Sequence, residues 1–167
     1  MLQLEDVAPV KIIVAALWNN DADWRQAVGL LSEHWGHVDE QHSACKFSAT
    51  DYYQPEMGKS IQRQLLAFEN LTDPAALPDL KLTTNQLEED FSRGGSRTVN
   101  LDVGYLDLHK LVLASTKEGP QKIYMGKGIW ADLTLLYRKG GFHPLPWTFP
   151  DFSDHLYDNF LLRTRAR

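Results

Sequence analysis

The sequence has little cysteine, no excess of positive charge and no long hydrophobic run. Cys45 is the only cysteine in 167 residues, so no intrachain disulfide can form and no oxidising compartment is required. The net charge of −5 gives no general affinity for nucleic acid or for anionic membranes. The N-terminus lacks a basic signal region, and the best apolar run, residues 12–18, is too short to span a bilayer. We therefore expect a cytoplasmic protein without nucleic-acid or membrane partners.

What is present is the composition of an ordinary globular protein. Hydrophobic residues make up 43% of the chain and charged residues 23%, and a chain of this length can bury a substantial core. No internal repeat, low-complexity segment or linker divides the sequence. We expect one domain that covers residues 1–167.

Hydrophobic periodicity predicts an α+β fold with a mostly antiparallel sheet covered by helices. The element order is β-α-β-β-α-β followed by α-β-β-α, and the first six elements have the order of a ferredoxin-like split unit. The sequence predicts strands near 11–18, 43–48, 99–105, 121–125 and 129–137, and helices over 21–35, 73–91 and 107–115 and after Asp151. Residues 61–69 fit either a strand or a helix, and we favour a strand because the preceding turn could pair it antiparallel to its predecessor.

A short stretch, Gly58-Lys59-Ser60, has the three letters that end a phosphate-binding Walker A loop. That loop also needs a glycine five residues before Gly58, because its backbone amides must wrap the phosphates. Tyr53 occupies this position. The stretch also does not follow the first buried strand, so we interpret it as a turn.

Neither of two further sequence patterns matches a known motif. Three histidines, an aspartate and a cysteine lie close in sequence, but their spacing matches no standard zinc site, and we predict no metal. These residues are His34, His37, Asp39, His42 and Cys45. The Gly-x-Ser-x-Gly sequence of many serine hydrolases is missing.

Two polar groups are candidate ligand-binding sites. The first is the loop Thr50-Asp51-Tyr52-Tyr53, whose alternative explanation is a turn followed by core aromatic residues. The second is Asn100-x-Asp102-x-Gly104 with Lys110 beyond it, which is also consistent with polar alternation on an exposed sheet face. Arg138 follows on a later strand and could lie beside the second group.

These groups support a first hypothesis, which is that the protein binds a small polar or anionic molecule in a cleft and is possibly an enzyme. Asp51 or Asp102 would be the catalytic acid or base, or would face a metal. Tyr53, Asn100, Lys110 and Arg138 would bind the ligand. The alternative is a non-catalytic interaction module that uses Trp130, Trp147 and the proline-rich segment 143–150 as a docking surface. The sequence identifies no cofactor and no oligomeric state.

Several motifs together resemble a bacterial family catalogued as domain of unknown function 4416. The motifs stand in order along nearly the whole chain: Thr50-Asp51-Tyr52-Tyr53, Glu56-Met57-Gly58-Lys59, Asn100-Leu101-Asp102-x-Gly104-Tyr105-Leu106, Lys110 to Lys117, Ile123-Tyr124-x-Gly126-x-Gly128-Ile129 and Pro144-Leu145-Pro146-Trp147-Thr148-x-Pro150-Asp151. The family usually has proline where this chain has Val103. Members are often labelled GTP-binding proteins, so the resemblance implies GTP binding without a standard P-loop as a third, less favoured function. It implies no catalytic residue.

Overall fold

The computed structural model describes residues 2–167, which contain nine strands and five α-helices. The strands are β1 (Val10–Trp18), β2 (Val38–Gln41), β3 (Cys45–Lys46), β4 (Gln62–Thr72), β5 (Val99–Leu106), β6 (Lys110–Ser115), β7 (Lys122–Gly126), β8 (Ile129–Arg138) and β9 (Gly141–Pro144). The helices are α1 (Asp21–Trp35), α2 (Gln54–Met57), α3 (Leu77–Asp90), α4 (Pro150–Ser153) and α5 (Asp158–Arg165), and a 3₁₀ turn, Pro74–Ala76, precedes α3. None of the helices in residues 2–167 combines the length and the apolar composition needed to cross a membrane.

All the strands belong to one open sheet, in the order β2-β4-β1-β5-β6-β8-β7. Each pairing is antiparallel, and β3 and β9 add short pairings to β4 and β8. The interior strand β1 is buried along its whole length, as its continuous apolar sequence predicts. The predicted α+β class and mostly antiparallel sheet are confirmed.

Helices cover both faces of this sheet. Ile12, Val14 and Ala16 of β1 point to a core shared with α1 and α3. Ile13 and Ala15 point to the opposite face, where α4 and α5 pack. The alternation of side chains along β1 therefore supplies both cores, because successive residues of a strand face opposite sides.

The predicted helix over residues 107–115 is wrong, because this segment forms the β5–β6 hairpin and strand β6. Asp107 caps the hairpin turn: its Oδ1 accepts the backbone N–H groups of His109 and Lys110 at 2.7 and 2.8 Å. Residues 111–114 are buried on both faces of the sheet. A strand buried in this way has a continuous apolar sequence, which a helical spacing can match by coincidence. The predicted α-β-β-α extension therefore starts with a strand.

Smaller differences occur at other boundaries. The strand predicted over residues 43–48 is replaced by β2 and β3, with a break at 42–44. The helix predicted after Asp151 is interrupted at 154–157, where His155 has a positive φ of 61°. The strand predicted over 61–69 and the hairpin of β7 and β8 are confirmed.

Strands β5 and β6 separate partway along the sheet. Their pairing covers only Gly104–Leu106 against Leu111–Leu113, although β1 pairs with β5 over its whole length. At Gly104 the two backbones come very close, since a Cβ there would lie 2.0 Å from the carbonyl oxygen of Val112. Only glycine fits at this approach. Beyond it, residues 99–103 have no strand partner on the β6 side, and this gap positions the site described next.

Candidate functional site

A cleft of about 600 Å³ lies where β5 and β6 separate. Residues of both α3 and α4 line it, and its size is in the usual range for small-molecule sites. The lining combines aromatic and charged side chains from distant parts of the chain. They are Phe47, Tyr52, Tyr53, Phe149 and Phe152, with Arg63, Lys81, Glu88, Arg97, Asp102, Lys117, Lys122, Asp132 and Asp151.

Helix α3 fills the gap between the strands with one polar stripe. Lys81, Asn85 and Glu88 line the cleft and follow one another at helical spacings of four and three residues. Glu88 Oε1 accepts the backbone N–H of Leu101 at 2.6 Å, and Lys81 Nζ donates to the Leu101 carbonyl at 3.3 Å. Burial raises the pKa of the Glu88 carboxyl. These side chains replace the missing strand, because the free edge of β5 would otherwise be buried without hydrogen bonds.

Arg97 links three elements at one side of the cleft. Its Nε and Nη2 donate to the two carboxylate oxygens of Glu56 at 2.8 and 2.9 Å. Its Nη1 donates to Asn100 Oδ1 at 2.7 Å and to Glu88 Oε2 at 3.3 Å. The hydrogen bonds from Arg97 lower the pKa of Glu56. Since each terminal nitrogen already has an acceptor, Arg97 fixes the wall and is not a free anion-binding group.

Arg63 holds α4 and α5 against the sheet. Its side chain is 5% exposed as a residue and donates to Tyr157 Oη at 3.1 Å and to Asp151 Oδ2 at 2.9 Å. Tyr157 also donates to Asp151 Oδ2 at 2.6 Å, and burial raises the pKa of this tyrosine. The rings of Phe47 and Phe152 lie 5.3 and 5.6 Å from the guanidinium carbon. We call Glu56, Arg63, Glu88, Arg97, Asp151 and Tyr157 the charged frame.

Three of the predicted site residues lie together in the cleft. They are Tyr53, Asn100 and Asp102, so the loop after Thr50 does meet the polar face of β5. Asp102 Oδ2 accepts from Asn100 Nδ2 at 3.2 Å, and Oδ1 lies 3.7 Å from Lys81 Nζ. The Asp102 side chain is 32% exposed. Burial, and then the charge of Asp102, raises the pKa of Tyr53 to about 12, so its hydroxyl stays protonated.

The other three predicted residues lie outside the cleft lining. Asp51 Oδ1 accepts from the side chain of Gln54 at 2.8 Å within its own loop. Lys110 Nζ pairs with Asp107 at 2.6 Å in the hairpin turn. Arg138 is exposed at the end of β8. The structure does not bring these side chains together with Asp102.

Two further charged residues on neighbouring strands also line the cleft. Lys122 and Asp132 are opposite each other on β7 and β8. Burial raises the pKa of Asp132, and Lys122 partly offsets this effect. We call the partly exposed residues Tyr53, Asp102, Lys122 and Asp132 the open end of the cleft.

The loop segments at the cleft mouth touch each other through Tyr52 and Lys117. Lys117 Nζ donates to Tyr52 Oη at 3.0 Å and lies 5.6 Å from the ring centroid. This hydrogen bond lowers the pKa of Tyr52. Both side chains are exposed, so the contact joins two surface loops without closing the cleft.

The other sequence patterns have structural explanations. Gly58 ends α2, and Lys59 and Ser60 are exposed residues that lead into β4, so this segment lacks the strand-loop-helix order of a P-loop. Among residues 2–167, no group of three His, Cys, Asp or Glu side chains could hold a metal ion. Trp147 is 41% exposed and lines a shallow groove with Pro120, Gln121 and Pro146.

The fold and the cleft define this chain as an α+β protein with an antiparallel sheet and a pocket of aromatic and charged side chains at a split between two strands. Residues 8–167 match the family described as Domain of unknown function (DUF4416). The chain belongs to this family. No match was found among curated proteins or among solved structures.

Proposed function

We propose that this protein binds a small polar molecule in the cleft between β5 and β6. The observation that carries the proposal is that Tyr53, Asn100 and Asp102, from two separate parts of the chain, line one cavity of about 600 Å³. Ligand sites combine apolar walls with a few convergent polar groups, and this cavity has both. Aromatic side chains form much of its wall, and the charged frame keeps that wall in place.

Each of the three residues has a role that its surroundings support. Asp102 is partly exposed and would accept hydrogen bonds from the ligand or act as a base. Tyr53 keeps its proton at neutral pH and would donate to the ligand. Asn100 is buried, accepts from Arg97 and donates to Asp102, so it orients the carboxylate. Asp51, Lys110 and Arg138 have no place in this proposal, since they do not line the cleft.

Thermal-shift screening of a polar metabolite library, with nucleotides included with and without Mg²⁺, tests the proposal. A ligand at about 100 times its Kd adds about 2.7 kcal/mol of stability, which raises Tm by roughly 5–10 °C for a chain of this length. We expect a ligand-induced shift in the wild type and in the control Asp51→Asn, and a much smaller shift in Asp102→Asn. A library without any hit, or equal shifts in both variants, would contradict the proposal.

The two other functional hypotheses have less support. An interaction module would use the groove at Trp147, but this groove is shallow and only four residues line it. GTP binding has no P-loop geometry behind it, and a nucleotide would have to enter the cleft instead. The nucleotide arm of the screen tests this directly.

We also propose that β2, β4, β1 and β5 form a ferredoxin-like unit. The support is their spatial order, their antiparallel pairing and the location of α1 and α3 on one face. The rest of the sheet would then be an addition to this unit within one domain. A cytoplasmic location and the lack of nucleic-acid partners stay predictions of the sequence.

A further inference from the structure

Asp132 and Lys122 are opposite charges that face each other across two strands without forming an ion pair. Their backbones are paired directly in the β7–β8 ladder, so both side chains lie on the cleft face of the sheet. Opposite charges at such positions ordinarily interact with each other. Within residues 2–167, Asp132 Oδ1 is buried and has no hydrogen-bond partner. Lys122 Nζ donates instead to Ser115 Oγ at 3.0 Å and to the Lys117 carbonyl at 3.3 Å.

The charged groups of the inner cleft already have protein partners. Arg97 is held by Glu56 and Glu88, and Arg63 is held by Asp151. Asp132 differs, because no side chain or backbone group within residues 2–167 donates to its carboxylate, and a carboxylate that is half-buried without a donor is costly unless a ligand or water supplies one. Oδ1 is buried, but Oδ2 is not, so a ligand with a hydrogen-bond donor can reach the carboxylate from the cleft.

The surroundings of Asp132 also indicate the charge of that ligand. An anion would place a second negative charge beside Asp132 and leave its oxygen without a donor. A simple cation would meet the ammonium groups of Lys117 and Lys122, which line the same cleft. A molecule with one positive and one negative group satisfies both sides, since each of its charges then faces its opposite.

We propose that Asp132 and Lys122 select a zwitterionic amino-carboxylate ligand, with its ammonium group at Asp132 and its carboxylate at Lys122. This inference rests on the proposed function, because it names the class of molecule that the cleft binds. Two charged groups set at a fixed spacing on a rigid ladder also select the distance between the ligand's charges.

A series of ω-amino acids of increasing length tests the inference by calorimetric or NMR titration. The probes are glycine, β-alanine, γ-aminobutyrate and 5-aminovalerate, with succinate and putrescine as controls that carry only one sign of charge. We expect one length of amino acid to bind at least about tenfold more tightly than either control, a difference typical of one hydrogen bond to a charged partner.

Two variants assign the roles of the side chains. Asp132→Asn keeps the volume and removes the charge, and it should weaken the best amino acid about tenfold while leaving succinate unchanged or stronger. Lys122→Met keeps much of the apolar stem, and it should weaken both the amino acid and succinate. The unchanged or higher Tm that we expect for Asp132→Asn serves as the folding control, because a neutral side chain removes the burial cost of the carboxylate.

The possible failures are distinguishable. Tighter binding of succinate or putrescine than of any amino acid, or an unchanged amino-acid affinity in Asp132→Asn, overturns the zwitterion inference and leaves the proposed function standing. If none of these probes binds, the zwitterion inference is overturned, and if the metabolite library also gives no hit, the proposed function is overturned with it.

Discussion

The charged frame and the open end line the same cleft, but their charged groups differ in how completely they are paired within the protein. In the frame, Arg63 and Arg97 are held by carboxylates at 2.8–3.3 Å, and both are fixed between elements far apart in the chain. At the open end, Asp102 is 32% exposed and Asp132 has a buried oxygen without a donor. Partnered charges hold walls in position, whereas incompletely partnered ones are available to a ligand. The difference separates residues that build the cleft wall from residues that can bind a ligand. Each prediction below tests one of these two roles.

Arg63→Leu should have the largest effect on stability. The substitution leaves Asp151 buried without its cationic partner, which typically costs about 3–5 kcal/mol. Urea unfolding measures the change. Lys127→Gln is the matched control, because its pair with Asp79 is 60% and 64% exposed, and exposed pairs contribute less than about 1 kcal/mol. Similar losses in the two variants would show that the frame is not the stabilising part.

Gly104→Ala should come next. An added Cβ would lie 2.0 Å from the Val112 carbonyl oxygen and 2.8 Å from Leu113 Cα, so β6 must move. Overpacking of this kind costs about 1–3 kcal/mol, and the altered divergence of the strands should also remove ligand-induced thermal shifts. Gly29→Ala in α1 is the control, since nothing lies within 4 Å of its added Cβ. That variant should be unchanged or slightly more stable.

Glu56→Gln should show a pH-dependent effect. The hydrogen bonds from Arg97 lower the pKa of Glu56 below its ordinary value of 4.5. A carboxyl with a lowered pKa contributes stability above its unfolded value, and this contribution disappears as the pH falls through the folded value. We expect the variant to lose about 1–2 kcal/mol at neutral pH and the difference from wild type to shrink below pH 4.5. Denaturant titrations at several pH values measure it, and a constant difference would contradict the account.

Tyr53→Phe should have the smallest effect on stability and a clear effect on binding. Removing the hydroxyl should change the free energy of unfolding by less than about 0.5 kcal/mol and weaken ligand binding about fivefold to tenfold. Tyr105→Phe is the control, because Tyr105 packs against the core on the opposite face of the sheet. A large loss of stability in Tyr53→Phe would show that the Tyr53 hydroxyl supports the structure, as the residues of the charged frame do, and is not available to a ligand.

Strongly periodic segments made most of the fold predictable. Each of three patterns is consistent with only one type of secondary structure: the apolar run of β1, the apolar stripe of α1 and the alternation of β5. The structure has a strand, a helix and a strand at these places, as predicted. Strand β6 was missed because its residues are buried on both faces, which gives a run of apolar residues without a period of two. Four such residues fit part of a helical stripe equally well.

Local sequence patterns could join residues of the cleft only where sequence proximity and spatial proximity coincide. Asn100 and Asp102 share one face of β5, so alternation alone placed them together. The polar stripe of α3 also has a helical spacing, which a search for polar stripes could have found. No local pattern joins Arg63 to Asp151, which lie 88 residues apart and meet only after the sheet and α4 have formed. Asp51 lies outside the cleft lining, and its carboxylate accepts from Gln54 within its own loop.

The β5 edge is hydrogen-bonded by side chains of α3 and not by a neighbouring strand, and this affects how a ligand would bind and be released. In many sheets, access to the space between two strands requires that backbone hydrogen bonds break, which is a slow and cooperative event. Here Lys81 and Glu88 already hydrogen-bond the carbonyl and the N–H of Leu101 on the part of β5 that does not pair with β6. Exchange of the proposed ligand then needs no backbone hydrogen bond to break, and at most side-chain rotations where Tyr52 and Lys117 meet. Such rotations of exposed residues take picoseconds to nanoseconds, so diffusion and affinity, not sheet opening, would set the rates of binding and release.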